Sequence, residues 1–379
     1  MSKLLPIFIF GIILAYVSDR RAIVEFDSYG DRVYRKKDKL IFFIIAAVLA
    51  IFVGLRISYN DTYTYMNMYE ALSPGISNLL TIDLNIGSNP GFWVVNTIIK
   101  TIGFSTQSFL MVYAIATVGI YLWFIRKYSD NIWLSVFLFF TMGCYTFTMA
   151  AIKQCVAVAF CLVATDRYLQ NKKLSFVLWV LIASTFHPYS LMYLIIPFLN
   201  FEPWSGKTYL FLIIFLVIGL SLQPLLGTVV DITTMLGEEY DATTFTGEGI
   251  NIFRLAVVWV PVVISFFTRR YLRANNSKAD NIILNLTILN AEIMFIGLFG
   301  TANYFARLAN YFLIFQALCL PHLFKAFNET SRKLITSACI IGFLLYFYYA
   351  NVINQNFDSM FNYVPFINYI KSIIGSLFL

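Results

Sequence analysis

Charge is what this chain has least of. Only 12% of its 379 residues are Asp, Glu, Lys or Arg, against 59% hydrophobic, where soluble domains carry roughly 25% charged residues. With apolar runs near the ~20 residues needed to cross a bilayer, this excludes a soluble globular protein and implies an all-α polytopic membrane protein. Histidine is scarcer still, with only His187 and His322. The five cysteines (Cys144, Cys155, Cys161, Cys319, Cys339) are odd in number, lie within apolar runs and have no metal-ligand spacing. Neither a disulfide framework nor a zinc site follows, and they read as small core hydrophobes. There is no H-E-x-x-H helix, no phosphate-binding glycine loop, no D-x-D pair in an outer loop and no visible internal repeat. No metal and no cofactor is implied.

What is present is a series of apolar runs, read as membrane segments at 4–17, 40–57, 107–125, 131–149, 150–167, 174–187, 188–201, 208–222, 252–267, 281–299, 304–322 and 334–350. About 11–12 transmembrane helices result, in a single transmembrane domain over 1–379. The first run lacks a small-residue cleavage site and leads into Asp19-Arg20-Arg21, so it is read as a retained anchor.

The net charge of +7 would suggest nucleic acid in a soluble chain; here its distribution points to topology, and no nucleic-acid partner is expected. Placing alternate loops on alternate sides puts 20 of the 27 basic residues on one side, which the positive-inside rule makes cytoplasmic. Both termini then lie outside. The opposite face has no basic residue between Arg56 and Lys100 or between Lys207 and Arg254, and the second stretch carries Asp231, Glu238, Glu239, Asp241 and Glu248. Parity requires that the weakly apolar piece 92–104 does not span, so a re-entrant or interfacial helix is expected there. The outer loops are 58–106 and 223–250, and 357–379 reads as a C-terminal interfacial segment.

Four cations break the pattern. Arg56, Lys153, Arg254 and Arg307 each sit inside or at the rim of an apolar run, all on the outer side. Long basic side chains near helix ends can snorkel to headgroups unaided. Four on the face that otherwise excludes Lys and Arg point instead to a shared anion site. Around them, Asp61, Tyr65 and Tyr69 would share one face of a helix, where a carboxylate among tyrosines suits a sugar hydroxyl. His187 is the one imidazole available on the outer face, with a side chain suited to acid–base work. Gln154 adjoins Lys153, and Tyr311 follows Arg307 by four residues on the expected same face. Glu292, the one acid deep in a segment, reads as a partner for an arginine or, less simply, as a proton relay.

These residues fall in an order that resembles the EpsG family of Wzy-type exopolysaccharide and O-antigen polymerases, over nearly the full length. The resemblance rests on Arg56 followed by Asp61 and Tyr65, Pro90-Gly91-Phe92 at a helix start, Lys153-Gln154 opening an apolar helix, Phe186-His187 before a hairpin, and Arg307 with Tyr311. The chain departs from that pattern at Lys153, where arginine is usual, at Ser58-Tyr59-Asn60, where a glycine precedes the aspartate, and at Asn89, where an acid is frequent.

The resemblance implies a GT-C-like polymerase architecture in the bacterial cytoplasmic membrane with an outward-facing site. It implies a glycosyltransferase joining undecaprenyl-pyrophosphate-linked repeat units; because the sequence shows no acidic metal pair, the reaction is expected to be metal-independent. Arg56, Lys153, Arg254 and Arg307 would hold the pyrophosphate with Gln154, Tyr65 and Tyr311, and Asp61 or His187 would be the base. The implied partners are polyprenyl-pyrophosphate-linked glycans, the membrane and, by family analogy, a flippase and a chain-length regulator. The alternatives are a lipid-linked oligosaccharide flippase or a polysaccharide ligase. A flippase is disfavoured because the cations gather at one face and no repeat is evident.

Overall fold

The computed structural model of the chain describes residues 1–26, 32–36, 39–237, 249–300 and 302–377. The helices in chain order begin with α1 (Leu4–Arg20), then a hairpin of β1 (Ile23–Phe26) and β2 (Arg32–Lys36), α2 (Lys39–Gly54), β3 (Arg56–Ser58), α3 (Thr62–Glu70), α4 (Pro90–Thr101), α5 (Thr106–Tyr128), α6 (Ile132–Thr141), α7 (Cys144–Ala150) and α8 (Ile152–Leu169). There follow α9 (Lys173–Ser184), a 3-10 helix (Pro188–Leu199), α10 (Gly206–Leu220), α11 (Leu222–Met235), α12 (Ile252–Phe267), α13 (Arg269–Asn275), α14 (Lys278–Ile296), α15 (Ala302–Asn310), α16 (Leu313–Leu323) and α17 (Glu329–Tyr348). The chain ends with α18 (Phe357–Met360), β4 (Asn362–Tyr363) and α19 (Phe366–Leu377).

The protein is an all-α polytopic membrane protein. Among the described residues, three helices are long and apolar enough to cross a bilayer: Thr106–Tyr128, Lys278–Ile296 and Glu329–Asn354. The number rises to six if each bent pair is one span: α6 with α7 (bent 51°), α10 with Pro224–Met235 (101°) and α12 with α13 (75°). Other expected segments appear as shorter apolar helices, such as Lys39–Gly54 and Lys173–Ser184. Several segments differ in kind from the expectation: 188–201 is a 3-10 helix over Pro188–Leu199, and 131–149 is broken into α6 and α7. The run 304–322 is interrupted between Asn310 and Leu313, and the loop 223–250 is helical as far as Met235. The acids Glu238, Glu239, Asp241 and Glu248 of that loop lie outside the described residues.

Local chemistry sets many of the boundaries. Asn131 caps α6 by accepting from the Leu134 amide at 3.2 Å, and Asn251 caps α12 by accepting from Phe253 and Arg254. Ser277 and Asp280 close a reciprocal capping box on α14, satisfying amides that helix starts leave unpaired. Asn89 takes a left-handed turn (φ 57°) so that Pro90 can open α4, a position where its missing N–H costs nothing. At 12 residues, α4 is about 18 Å long, too short for a ~30 Å hydrocarbon core.

The chain divides into two compact units: residues 1–82, 91–159 and 348–379 in the first, and 83–90 with 160–347 in the second. In the first unit, α2 packs antiparallel on α5, and the Gln107 side chain donates to the carbonyl of Gly54 at 2.5 Å. A side chain on Gly54 would meet the Met111 sulfur at 2.5 Å; the hydrogen atom there allows the two backbones their close approach. At the far end of these helices Asp19 accepts from the Trp133 amide at 2.9 Å, so Arg20, Arg21, Lys39, Arg126 and Lys127 share one end. Arg56 stands at the other.

The second unit repeats the segregation. The Lys278 ammonium reaches Asn171 at 3.0 Å and lies over the Tyr168 ring. Arg273 donates to the main chain at Pro203 and Trp204, and His322 bonds Asn276 at 2.9 Å. These contacts gather Lys172, Lys173, Arg273, Lys278 and Lys325 at one end, while Arg254, His187 and Tyr311 lie at the opposite one. The buried layer between is held by Asn285 donating to the carbonyls of Leu199 and Phe201, and by Gln316 donating to Val258 and Asn290. Inside an apolar layer such bonds satisfy groups that would otherwise be costly to bury.

Two predictions arise. In the second unit, a Cβ on Gly87 would sit 2.4 Å from the Gly237 Cα, and Gly237 has φ +82°. Gly237→Ala is expected to cost about 1–3 kcal/mol through the left-handed backbone alone, seen as a lower melting temperature in detergent; an unchanged melt would mean that Gly237 does not hold this left-handed conformation. In the first unit, Asp358 accepts from the Met1 ammonium and from Ser2 and Lys3. Burial pushes its carboxyl up, but these donors outweigh that and hold it well below the usual carboxylate range. Because the folded value is the lower one, its stabilisation is complete at neutral pH and declines only below about pH 4. The melting-temperature gap between wild type and Asp358→Asn should therefore be constant near neutrality and close in acid.

Candidate functional site

Arg56 is the centre of the first unit's polar end. It is 1% exposed, a full guanidinium taken out of water. Its Nε donates to the Thr62 hydroxyl at 3.0 Å and one terminal nitrogen donates to the Val53 carbonyl at 2.7 Å. The Thr62 hydroxyl in turn donates to the Tyr59 carbonyl at 2.6 Å. Cys155, Tyr65 and Tyr145 are its electrostatic neighbours. None of these is an anion at neutral pH, and among the described residues no carboxylate pairs with Arg56. Of the five N–H groups of a guanidinium, two are occupied by described residues.

Aromatic rings tie the other expected residues to this point. Tyr65 meets Phe92 edge-on at 5.8 Å between ring centroids, and the Lys153 ammonium lies 5.1 Å from the Phe92 centroid and 5.8 Å from that of Trp93. Such cation–π contact holds an ammonium without neutralising it. Phe92 itself is buried against Phe109 and Tyr113. The buried Gln154 follows Lys153 on α8. Asp61 stands at the N-cap of α3, exposed; its main-chain carbonyl accepts from the Tyr65 amide at 3.1 Å, while its side chain makes no capping bond and has no hydrogen-bond partner among the described residues.

Tyr69 departs from the expected shared face. It is fully buried, stacked on Phe109 at 4.5 Å, with its hydroxyl donating to the Phe104 carbonyl at 2.7 Å. It belongs to the core, because α3 is nine residues long and lies with one side against α5. Asp61 and Tyr69 therefore face different surroundings.

The second unit carries its own cluster. His187 precedes the 3-10 helix, and its Nδ1 lies 2.8 Å from the Tyr311 hydroxyl. The Tyr311 main-chain carbonyl accepts from the Tyr193 hydroxyl at 2.6 Å, and Tyr193 stacks on Phe312 at 5.1 Å. Tyr311 is thus fixed at both its backbone and its ring, and it in turn orients the imidazole. Next to it, the Arg254 guanidinium donates to the Asn310 side chain at 3.1 Å; among the described residues no carboxylate pairs with Arg254.

Arg307 and Tyr311 do not share a helical face as expected. The helix stops at Asn310, Arg307 is exposed and Tyr311 is fully buried. The expectation that Glu292 partners an arginine also fails. Glu292 is 3% exposed in α14, and among the described residues no Arg or Lys pairs with it.

Some partners escaped the sequence reading. Thr62 and the Val53 carbonyl hold Arg56, Trp93 joins Phe92 under Lys153, and Asn310 holds Arg254. Only Asn310 had a signal, standing directly before Tyr311; the others are unremarkable residue types whose role depends on where neighbouring elements lie. Of the four unusual cations, Arg56 and Lys153 fall in the first unit and Arg254 and Arg307 in the second.

A model of the EpsG family matches residues 39–368. No curated protein and no solved structure matches the chain. The matched range takes in both polar clusters, and the chain belongs to the EpsG family.

Proposed function

We propose that this protein is a polysaccharide polymerase: a membrane glycosyltransferase that joins undecaprenyl-pyrophosphate-linked repeat units at the outer face of the bacterial cytoplasmic membrane. The observation that carries the reading is Arg56, a buried cation with no carboxylate partner among the described residues. Removing a cation from water without an anion is expensive, and such groups persist where a ligand supplies the charge. Membership of the EpsG family and the segregation of Lys and Arg to one end of each unit support the rest.

In this reaction a hydroxyl oxygen of the acceptor glycan attacks the anomeric carbon of the donor. The bond from that carbon to the pyrophosphate oxygen breaks, and the electron pair leaves on the lipid pyrophosphate. Pyrophosphate is a good leaving group, so fixed positive charge serves better than a protonating acid. Arg56 offers a planar fork matched to phosphate oxygens; Lys153, held over Phe92, offers a point charge. Arg254 and Arg307 are assigned to the same anionic substrates. His187 is assigned as the base. For its Nε2 to accept the hydroxyl proton, Nδ1–H must donate to the Tyr311 oxygen, and the 2.8 Å contact permits that tautomer.

The tests use polymer ladders from cells in which the chain is replaced by variants of equal membrane abundance. Arg56→Ala is expected to reduce polymer by about 100-fold or more, with Arg56→Lys retaining part. Wild-type chain length with Arg254→Ala or Arg307→Ala would remove that residue from the anion-binding set. His187→Ala should lose roughly 100- to 10,000-fold and Tyr311→Phe distinctly less; if Asp61→Asn abolishes polymer while His187→Ala does not, the base is Asp61. Deletion should leave single lipid-linked repeats outside the membrane. Long lipid-linked chains would indicate a ligase, and inward-trapped units a flippase.

A further inference from the structure

The first three residues of the chain and the segment 357–364 meet beside Arg56, all within the first unit. β4 pairs antiparallel with β3, with Arg56 opposite Tyr363 and Ser58 opposite Asn362. The Val364 amide donates to the Leu55 carbonyl at 2.8 Å, and the Ser58 hydroxyl donates to the Met360 carbonyl at 2.8 Å. Both flanks of Arg56 are therefore bonded to the C-terminal segment, while Gln107 donates to the Arg56 carbonyl at 3.1 Å. A strand this short has no stability of its own, so its place is decided by these neighbours.

The segment is held from behind by apolar and polar contacts. Phe361 stacks between Phe52 at 4.8 Å and Phe357 at 4.9 Å, and Tyr59 packs on Phe357 at 5.2 Å. Further on, Tyr369 is buried with Leu55 and Met111. At the outer side the start of α1 closes the arrangement. The Asp358 carboxylate accepts from the Met1 ammonium, the Ser2 amide at 2.6 Å, the Ser2 hydroxyl at 2.9 Å and the Lys3 amide at 3.2 Å. The Lys3 ammonium donates to the carbonyls of Asp358 at 2.7 Å and Phe361 at 2.5 Å and to the Asn362 side chain at 3.0 Å. Charge-assisted bonds of this kind are the strong ones.

We propose that residues 357–364, locked by Lys3 and Asp358, form a strap that positions Arg56 for its phosphate, so that these two residues govern affinity for the lipid-linked pyrophosphate through the backbone of β3. The inference rests on Arg56 as the phosphate ligand. Lys3 and Asp358 are positioning residues: their bonds run to the strap and the start of α1. A guanidinium whose Cα is free to shift by the order of 1 Å loses much of its oriented binding.

The experiment measures binding of farnesyl pyrophosphate to the purified full chain in detergent, with inorganic pyrophosphate as a second probe. Asp358→Asn and Lys3→Ala should each weaken binding at least about tenfold, and Asp358→Glu should recover part of it. Ser58→Cys with Asn362→Cys places two thiols where the native side chains already lie 3.2 Å apart. Once oxidised in the Asp358→Asn background, this pair should restore affinity, and reduction should remove it again. That comparison is made within one polypeptide, so it also decides the matter if Asp358→Asn alone yields less folded protein. Normal binding by Asp358→Asn and Lys3→Ala, or a cross-link that restores nothing, overturns the strap. Normal binding by Arg56→Ala overturns instead the assignment of Arg56 to phosphate.

Discussion

A guanidinium buried at the end of a helix bundle without a carboxylate is the constraint around which the first unit is arranged. Arg56 is 1% exposed, and the partners of its guanidinium among the described residues are a threonine hydroxyl and a backbone carbonyl. Both are neutral acceptors that orient the group without cancelling its charge. An internal Asp or Glu would stabilise the resting protein better and would compete with any incoming anion. Keeping the charge uncompensated requires support from elsewhere. That support is the packing of α2 on α5, the Gln107 bonds, the pairing of β3 with β4 and the aromatic stack of Phe52, Phe361 and Phe357.

The second unit follows the same economy with different groups. His187 and Tyr311 form one bond, and Tyr311 is anchored by Tyr193 and Phe312 behind it. Arg254 leans on the neutral Asn310. Arg56, His187 and Arg254 each bond an uncharged neighbour: Thr62, Tyr311 and Asn310. Rigid support behind polar groups is what preorganised sites require. Glu292 contrasts with them, a buried acid that none of the described cations neutralises.

Much of this was legible beforehand for physical reasons. Membrane insertion depends on summed transfer free energy and on which loops carry Lys and Arg, both additive along the chain. The helical class, a helix at Pro90–Thr101 too short to span, and, within each unit, the segregation of Arg126 and Lys127 from Arg56 and of Arg273 and Lys278 from Arg254 follow from such sums. Misreadings occurred where a helix was assumed to continue. Arg307 and Tyr311 share a face only if the helix runs past Asn310, and it stops there. Tyr69 was placed beside Asp61 by period alone, whereas Phe109 and the Phe104 carbonyl draw it into the core.

Residue order alone, then, determined that this chain lives in a membrane, which ends of its helices carry positive charge, and which few cations sit where hydrocarbon should exclude them. Those properties are set by the cost of moving each side chain from water to lipid, and that cost is local. Tertiary structure alone decided what those cations touch: Thr62 and Val53 for Arg56, Phe92 for Lys153, Asn310 for Arg254, and no described cation for Glu292. It also brought Lys3 to Asp358 and Asn362 to Ser58, across more than 300 residues of sequence. Contacts at that separation depend on how every intervening helix packs, and no periodicity in the sequence encodes them.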